Sequence, residues 1–315
     1  MILVAGSANL DFVVRADHIP GPGETVLGRD FKTFPGGKGA NQAVACARSG
    51  AALTHMLVAL GADAFAIPLE ASLRQANVQL HTVRVQDHPT GTAFICVSDD
   101  AENAITVAPG ANACLRPEHL PALDDVTHLL MQLEIPLDTI EDYAQAARKR
   151  GVLTVLNAAP AQALSERLLD AIDILVVNEG ELQAITLHSG TVAECLALIN
   201  VPTVVVTLGH QGSCARHHGE FLVQPAFHVT AVDTTAAGDT FCGTLVASLS
   251  KGCALQTALQ FASAAGALAC TRLGAQSSIP SADEVNQFLA VNANQTQATT
   301  AQLRQFCGLT PTTQP

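Results

Sequence analysis

The chemistry is easiest to place between Ala231 and Phe241, where the chain reads Ala-Val-Asp-Thr-Thr-Ala-Ala-Gly-Asp-Thr-Phe. Residues without bulky side chains lead into an amphipathic stretch. The first backbone N–H groups of such a helix have no partner inside it, and its dipole favours negative charge at that end. Asp239, in the first turn, is placed to take a proton from a hydroxyl attacking a phosphoryl group. Donors at Ala236, Ala237 and Gly238 would then stabilise charge developing on the transferred oxygens. An isolated Asp at a helix start more often only complements the dipole, so this segment needs company.

Company comes from four other places. Phe34-Pro35-Gly36-Gly37-Lys38-Gly39-Ala40-Asn41-Gln42-Ala43 lets a ligand approach bare backbone, and Asn41 offers both donor and acceptor. It is not a Walker A loop, because Gly39 follows Lys38 and the glycine spacing differs; no GxGxxG follows the first apolar run either. Asn9 and Asp11 stand two apart after that run, so in extended chain they project to one side, at a carboxyl end of a sheet. Glu134 follows Leu129–Leu133 at a comparable strand end. In Asn178-Glu179-Gly180-Glu181 an apolar strand ends in an amide and two acids, suited to holding hydrated Mg²⁺ near phosphates or to starting a helix.

These groups need elements to hold them. Apolar runs at Ile2–Ala5, Leu57–Leu60, Phe94–Val97, Ala104–Val107, His128–Leu133, Leu153–Leu156, Ile174–Val177 and Val204–Thr207 read as strands. Helical patterns lie between them: from Gly39 towards Ser49, from Asp138 to Arg150, from Asp239 to Ser250 and from Leu255 to Cys270. Asp138 with Glu141 suggests a capping box, and Lys149-Arg150-Gly151 a cationic last turn with a glycine stop. The alternation predicts an α/β fold with a mostly parallel sheet covered on both faces. Residues 9–35 and 88–108 break the pattern. They predict a small projecting sheet, the second segment being a hairpin around Asp99-Asp100-Ala101-Glu102-Asn103. The Gln-, Thr- and Asn-rich tail, 292–315, reads as loosely attached.

Composition excludes several classes. The 315 residues carry 16 Lys plus Arg against 28 Asp plus Glu, a net charge of −12 without a basic run, which disfavours nucleic acid and anionic membranes as partners. No stretch approaches the roughly 18 apolar residues of a membrane span. The N-terminus has no basic n-region and reads as a first strand, so a soluble cytoplasmic protein is expected. The nine cysteines are scattered without a CxxC, and none of the eleven histidines forms HxxxH; free thiols in a reducing compartment follow. His217-His218 reads as loop.

Gly37-Lys38-Gly39-Ala40-Asn41, Asn178-x-x-Glu181 and Asp233-Thr234-Thr235-Ala236-Ala237-Gly238-Asp239, in this order, resemble the ribokinase family of carbohydrate kinases over residues 1–291. The resemblance implies a three-layer αβα core with a small β-sheet lid over a sugar, often paired lid to lid in a homodimer. It implies that Asn9, Asp11, Gly37, Lys38, Gly39, Asn41 and Glu134 contact the sugar, that Asp239 deprotonates its primary hydroxyl, and that Gly238 helps form the anion hole. Asn178, Thr207, Gly209 and Gly212 would line ATP, with Ser263 near the adenine. Glu181 would organise Mg²⁺. An activating monovalent cation, K⁺, would sit at Asp233, Thr235, Ala269, Arg272, Gly274 and Ser278, several acting through carbonyls.

The loop Gly61-Ala62-Asp63-Ala64-Phe65-Ala66 departs from the family pattern at Ala62 and Ala66. No basic patch suggests a phosphorylated sugar. A site that hydrogen-bonds a hydroxyl rejects the deoxy analogue by up to ~10⁴, so the Asn9 amide favours ribose over 2-deoxyribose. A nucleoside kinase, a sugar-binding protein without catalysis and a dinucleotide-dependent oxidoreductase are the alternatives.

Overall fold

The computed structural model describes residues 1–100, 102–292 and 295–309. In chain order its strands begin β1 (Ile2–Ala5), β2 (Asn9–Arg15), β3 (Arg29–Gly36), β4 (Thr54–Gly61), β5 (Gln79–Val85), β6 (Gly91–Val97) and β7 (Asn103–Ala108). They continue β8 (His128–Gln132), β9 (Leu153–Asn157), β10 (Ile174–Asn178), β11 (Thr203–Thr207), β12 (Gly212–His217) and β13 (Glu220–Pro225). The helices are α1 (Lys38–Arg48), α2 (Ala66–Gln75), α3 (Leu137–Lys149), α4 (Glu166–Leu169) and α5 (Glu179–Thr186). After them come α6 (Val192–Leu198), α7 (Ala237–Ser250), α8 (Leu255–Ala269), α9 (Ala282–Asn292) and α10 (Thr300–Phe306).

Nine strands form one sheet in the order β13-β12-β11-β10-β9-β8-β1-β4-β5. From β11 to β5 every pairing is parallel, while β12 and β13 close one edge antiparallel. Parallel strands covered on both faces must be apolar throughout, and alternation sends successive residues to opposite layers. Ile2 and Val4 join Val44, Leu69, Leu245 and Leu259 on one face. Leu3 and Ala5 join Ile140, Tyr143 and Leu196 on the other. The expected αβα layering is what results. Among the described residues no helix is long and apolar enough to cross a membrane.

The two segments that broke the pattern form the second sheet, four strands in the order β3-β2-β6-β7. Within it β6 and β7 pair antiparallel as the anticipated hairpin, whose Ala101 lies outside the described residues. β2 emerges three residues after β1, so the small sheet grows out of a carboxyl end of the large one. Phe12 anchors it, stacking on Phe31 and Phe94.

Several expectations need correction. The sequence reading has no β5, β12 or β13. β5 is a half-exposed edge strand with Gln, His and Arg among its residues, which hides its period. His217 ends β12 rather than lying in a loop. Only His218-Gly219 turns the chain, both with positive φ (46° and 89°), as a two-residue hairpin loop requires. The helix at 137 has Pro136 as its N-cap and no side-chain cap; Glu141 instead pairs with Arg167 at 2.8 Å. The described part of the tail is not loose. Thr296 bridges to Phe227, Thr299 and Gln302 cap α10 reciprocally, and Leu303 and Cys307 are fully buried in the main core. In the departing loop, Asp63 accepts hydrogen bonds from the N–H groups of Phe65, Ala66 and Thr90, so the carboxylate organises the turn despite Ala62 and Ala66.

Candidate active site

The strand ends and helix starts at one edge of the parallel sheet converge on Asp239. It sits in the first turn of α7 and is 9% exposed. Asn41 Nδ2 donates to its Oδ2 at 2.9 Å, and Gln42 Nε2 donates to its Oδ1 at 2.9 Å. Gln42 cannot turn its amide round, because Gln132 Nε2, at the end of β8, donates to Gln42 Oε1 at 2.7 Å. Asn157 Oδ1, at the end of β9, accepts from the same Gln42 nitrogen at 2.9 Å. The carboxylate is thus aimed by a chain of side chains from α1, β8 and β9. The Oδ1 of Asn41 and the Oε1 of Gln132 are buried without a partner.

The glycine run makes this approach possible. Gly37 has φ 89°, and a Cβ there would stand 2.7 Å from Ala8 Cα and Asn9 N. A Cβ at Gly39 would stand 2.6 Å from the Ser7 nitrogen. Without side chains α1 seats its first turn on the loop after β1, where the Ala40 N–H donates to Ser7 O at 2.8 Å. Glu134 Oε2 accepts from the Ser7 hydroxyl and, at 3.1 Å, from the Lys38 N–H, fastening the same junction. Asn9 Oδ1 accepts from Asn112 Nδ2 at 2.8 Å, which orients the Asn9 amide. Sequence reasoning missed Ser7, Gln42, Asn112, Gln132 and Asn157. Gln132 and Asn157 end parallel strands, a position that could have flagged them; Asn112 carries no such signal.

Negative charge accumulates here. Burial first, then Glu134 and Asp239, push the Asp11 carboxyl from its ordinary 3.8 up to about 7. Burial also opposes the Lys38 ammonium, but Asp239, Glu134 and Glu181 outweigh it and hold Lys38 above the ordinary lysine range. Glu181 is raised by burial, against the opposing Asn178 N–H bond and Lys38.

Two adjoining cavities meet at Thr207, Thr234 and Gly238. The first, about 230 Å³, is polar: Lys38, Asn178, Glu181, Ala236 and Asp239 line it. Asn178 and Glu181 also form a reciprocal cap on α5, each bond 2.8 Å, so the helix-start reading holds there, at residues that also line the polar cavity. The second, about 300 Å³, is mostly apolar, with Phe227, Val229, Phe241 and Gly266 beside Gly209, Gly212, Ala237 and Ser263. Ala236 takes φ 59°, a left-handed conformation uncommon for a residue with a Cβ, and opens α7 between the cavities. The expected trio of free donors needs one correction: the Ala237 N–H already donates to Thr234 O at 3.2 Å. Asn9, Asp11, Gly37, Gly39, Asn41 and Glu134 line neither cavity; Asn9 and Asp11 stand on β2 of the small sheet, while Asn41 on α1 reaches Asp239.

Asp233, Thr235, Ala269, Arg272, Gly274 and Ser278 line neither cavity, and of these Asp233 and Gly274 join the loop before α7 to the loop after α8. Asp233 accepts from the Thr235 and Gly274 N–H groups at 2.9 Å each. Those bonds overcome the effect of burial and keep its pKa below the ordinary value. Ser278 is buried, its hydroxyl donating to Ala275 O at 2.8 Å. The Arg272 guanidinium points to Glu284, whose carboxyl it helps hold at about 2.

A buried carboxylate aimed by amides, beside a helix start and an apolar slot, is an arrangement suited to phosphoryl transfer to an alcohol. Comparison with known proteins agrees, and residues 1–282 match the pfkB family of carbohydrate kinases, to which this chain belongs. It is 39% identical over 302 residues to a ribokinase of Haemophilus influenzae, covering 91% of this chain and 98% of that one. A solved ribokinase from Thermotoga maritima superposes with a TM-score of 0.84 at 37% identity, over 92% of this chain and 99% of its own. An Arabidopsis thaliana ribokinase solved with ribose and ATP gives 0.82 at 33% identity, over 91% of this chain and 98% of its own. The protein is a carbohydrate kinase.

Proposed function

We propose that this kinase transfers the γ-phosphoryl group of ATP to the primary, 5-hydroxyl group of D-ribose, with Asp239 as the base. The observation that carries the reading is the fixed Asp239 carboxylate, buried between a polar wall and the start of α7. The ribokinases it resembles, one of them holding ribose and ATP, support the choice of substrates.

In this account the sugar lies against Asn9, Asp11, Gly37, Lys38, Gly39, Asn41 and Glu134. The unpartnered Asn41 Oδ1 is a ready acceptor for a sugar hydroxyl, since a buried acceptor is otherwise left unsatisfied. Asn9, whose Oδ1 accepts from Asn112, presents its amide N–H donors to a hydroxyl, which favours ribose over 2-deoxyribose. The triphosphate occupies the polar cavity and its base the apolar one, past Asn178, Thr207, Gly209, Gly212 and Ser263. As the hydroxyl attacks, its proton passes to Asp239. The Gly238 N–H, the α7 dipole and the Lys38 ammonium stabilise the charge on the transferred oxygens. Positioning supplies most of the rate, because a loose phosphoryl transition state asks little of the base.

Glu181, buried at the polar cavity, suits a hydrated Mg²⁺ that would neutralise phosphate charge. A monovalent cation such as K⁺ would fit beside Asp233, which stays ionised while the charge of Arg272 is directed to Glu284. Its field would strengthen the anion hole. The small sheet serves as a lid and as the contact for a homodimer: Phe31, Phe94, Ile105 and Val107 are exposed on it, and β7 is an open edge. Nine free thiols accord with a reducing, cytoplasmic setting.

A coupled ADP-release assay over ribose, 2-deoxyribose and a nucleoside tests the assignment. Ribose is expected to give the highest kcat/KM; a nucleoside in first place would refute it.

A further inference from the structure

The family match ends at residue 282, yet the chain beyond it returns to the site. After α9 it runs antiparallel beside the segment that follows β13. Here the His228 N–H donates to Gln295 O at 3.1 Å, Thr296 bridges Phe227, and the Gln297 N–H donates to Ala226 O at 2.7 Å. The segment is held at its far end too, because Leu303 and Cys307 are buried in the main core and the Ala193 N–H donates to Cys307 O at 2.9 Å. A tether fixed on both sides places Gln297 at the rim of the apolar cavity, among Ala226, Phe227 and Ser263. Among the described residues no protein group hydrogen-bonds its carboxamide.

An apolar slot recognises the flat faces of an aromatic base but does not tell one base from another. Discrimination needs a donor and an acceptor at the edge, and a glutamine amide offers both at the spacing of an adenine's exocyclic amine and adjacent ring nitrogen. We infer that Gln297, brought in by the chain beyond the family match, is a specificity residue for the purine base of the nucleotide. The inference rests on reading this cavity as the base site.

The test is equilibrium binding of ATP and of purine riboside triphosphate, which lacks the exocyclic amine, to the full chain and to Gln297→Ala. The variant keeps the backbone bond to Ala226, and a thermal melt verifies its fold. One hydrogen bond lost at this rim corresponds to about a 3- to 10-fold weaker Kd. The native chain should bind ATP more tightly than the analogue by about that factor. In Gln297→Ala, which loses both contacts, the two nucleotides should bind equally, with the KM for the sugar unchanged. Equal discrimination by the native chain and the variant would overturn the inference while leaving the kinase reading intact. Nucleotide binding without sugar phosphorylation would leave the Kd comparison valid and count against the kinase reading alone. Failure of the native chain to bind either nucleotide would overturn both.

Discussion

In the proposed mechanism, replacing Asp239 by asparagine removes the base and little else. Its carboxylate accepts one amide from Asn41 and one from Gln42. An amide in its place has a single oxygen, so one of those donors would face an NH₂ group. Gln42 is pinned by Gln132, but Asn41 has an Oδ1 with no partner and can rotate to offer it. The cost in folding is then that of one rearranged hydrogen bond, about 1 kcal/mol, and the Tm should fall by no more than about 4 °C. Loss of the base is larger. General base catalysis contributes about 10²–10⁴, equivalent to roughly 2.7–5.4 kcal/mol of barrier at 1.36 kcal/mol per decade. Steady-state kinetics on D239N should therefore show kcat lower by about 10²–10⁴. Its ribose Kd by calorimetry should weaken by no more than about tenfold, the value of the one hydrogen bond that a turned Asn41 amide no longer accepts from the sugar. A variant retaining more than about a tenth of the native kcat would refute the assignment.

Three further outcomes follow from the site. Asp11 titrates near 7 in the folded chain against an ordinary 3.8, so folding favours its protonated form. That contribution to stability is complete below about pH 3.8 and is lost as pH rises through 7. Ribose hydroxyls donating to the carboxylate would favour the ionised form instead, making ribose bind about tenfold more weakly at pH 6 than at pH 8; a flat Kd profile would exclude that contact. Asn9→Ala should narrow the ratio of kcat/KM for ribose over 2-deoxyribose, and an unchanged ratio would mean that Asn9 does not read the 2-hydroxyl. Exchanging K⁺ for Na⁺ should lower kcat, whereas equal rates in the two salts would remove the cation proposed at Asp233.

Local chemistry was legible in the sequence where one short segment carries it. The helix start before Asp239, the glycines before Asn41 and the acids after β10 announce themselves by type and spacing, and the parallel core follows from its unbroken apolar strands. What stayed hidden depends on residues far apart in the chain. Gln42, Gln132 and Asn157 acquire a role only when α1, β8 and β9 bring three amides together, across separations of 90 and 115 residues. The raised pKa of Asp11 arises from burial and from Glu134 and Asp239, none of them its sequence neighbours. The polar tail looked detached because its buried residues, Leu303 and Cys307, fall in one short segment after a run of Gln, Thr and Asn, and two anchors are too few to produce a period.

The proposed mechanism puts the primary hydroxyl of the sugar at Asp239, and the position of the phosphate in the product reports on this directly. Carbon-13 NMR of [¹³C]ribose incubated with the protein, ATP and Mg²⁺ should show phosphorus coupling at C5 and C4, with ADP formed in equal amount. Coupling at C1, or ADP formed without any phosphorylated ribose, would contradict it.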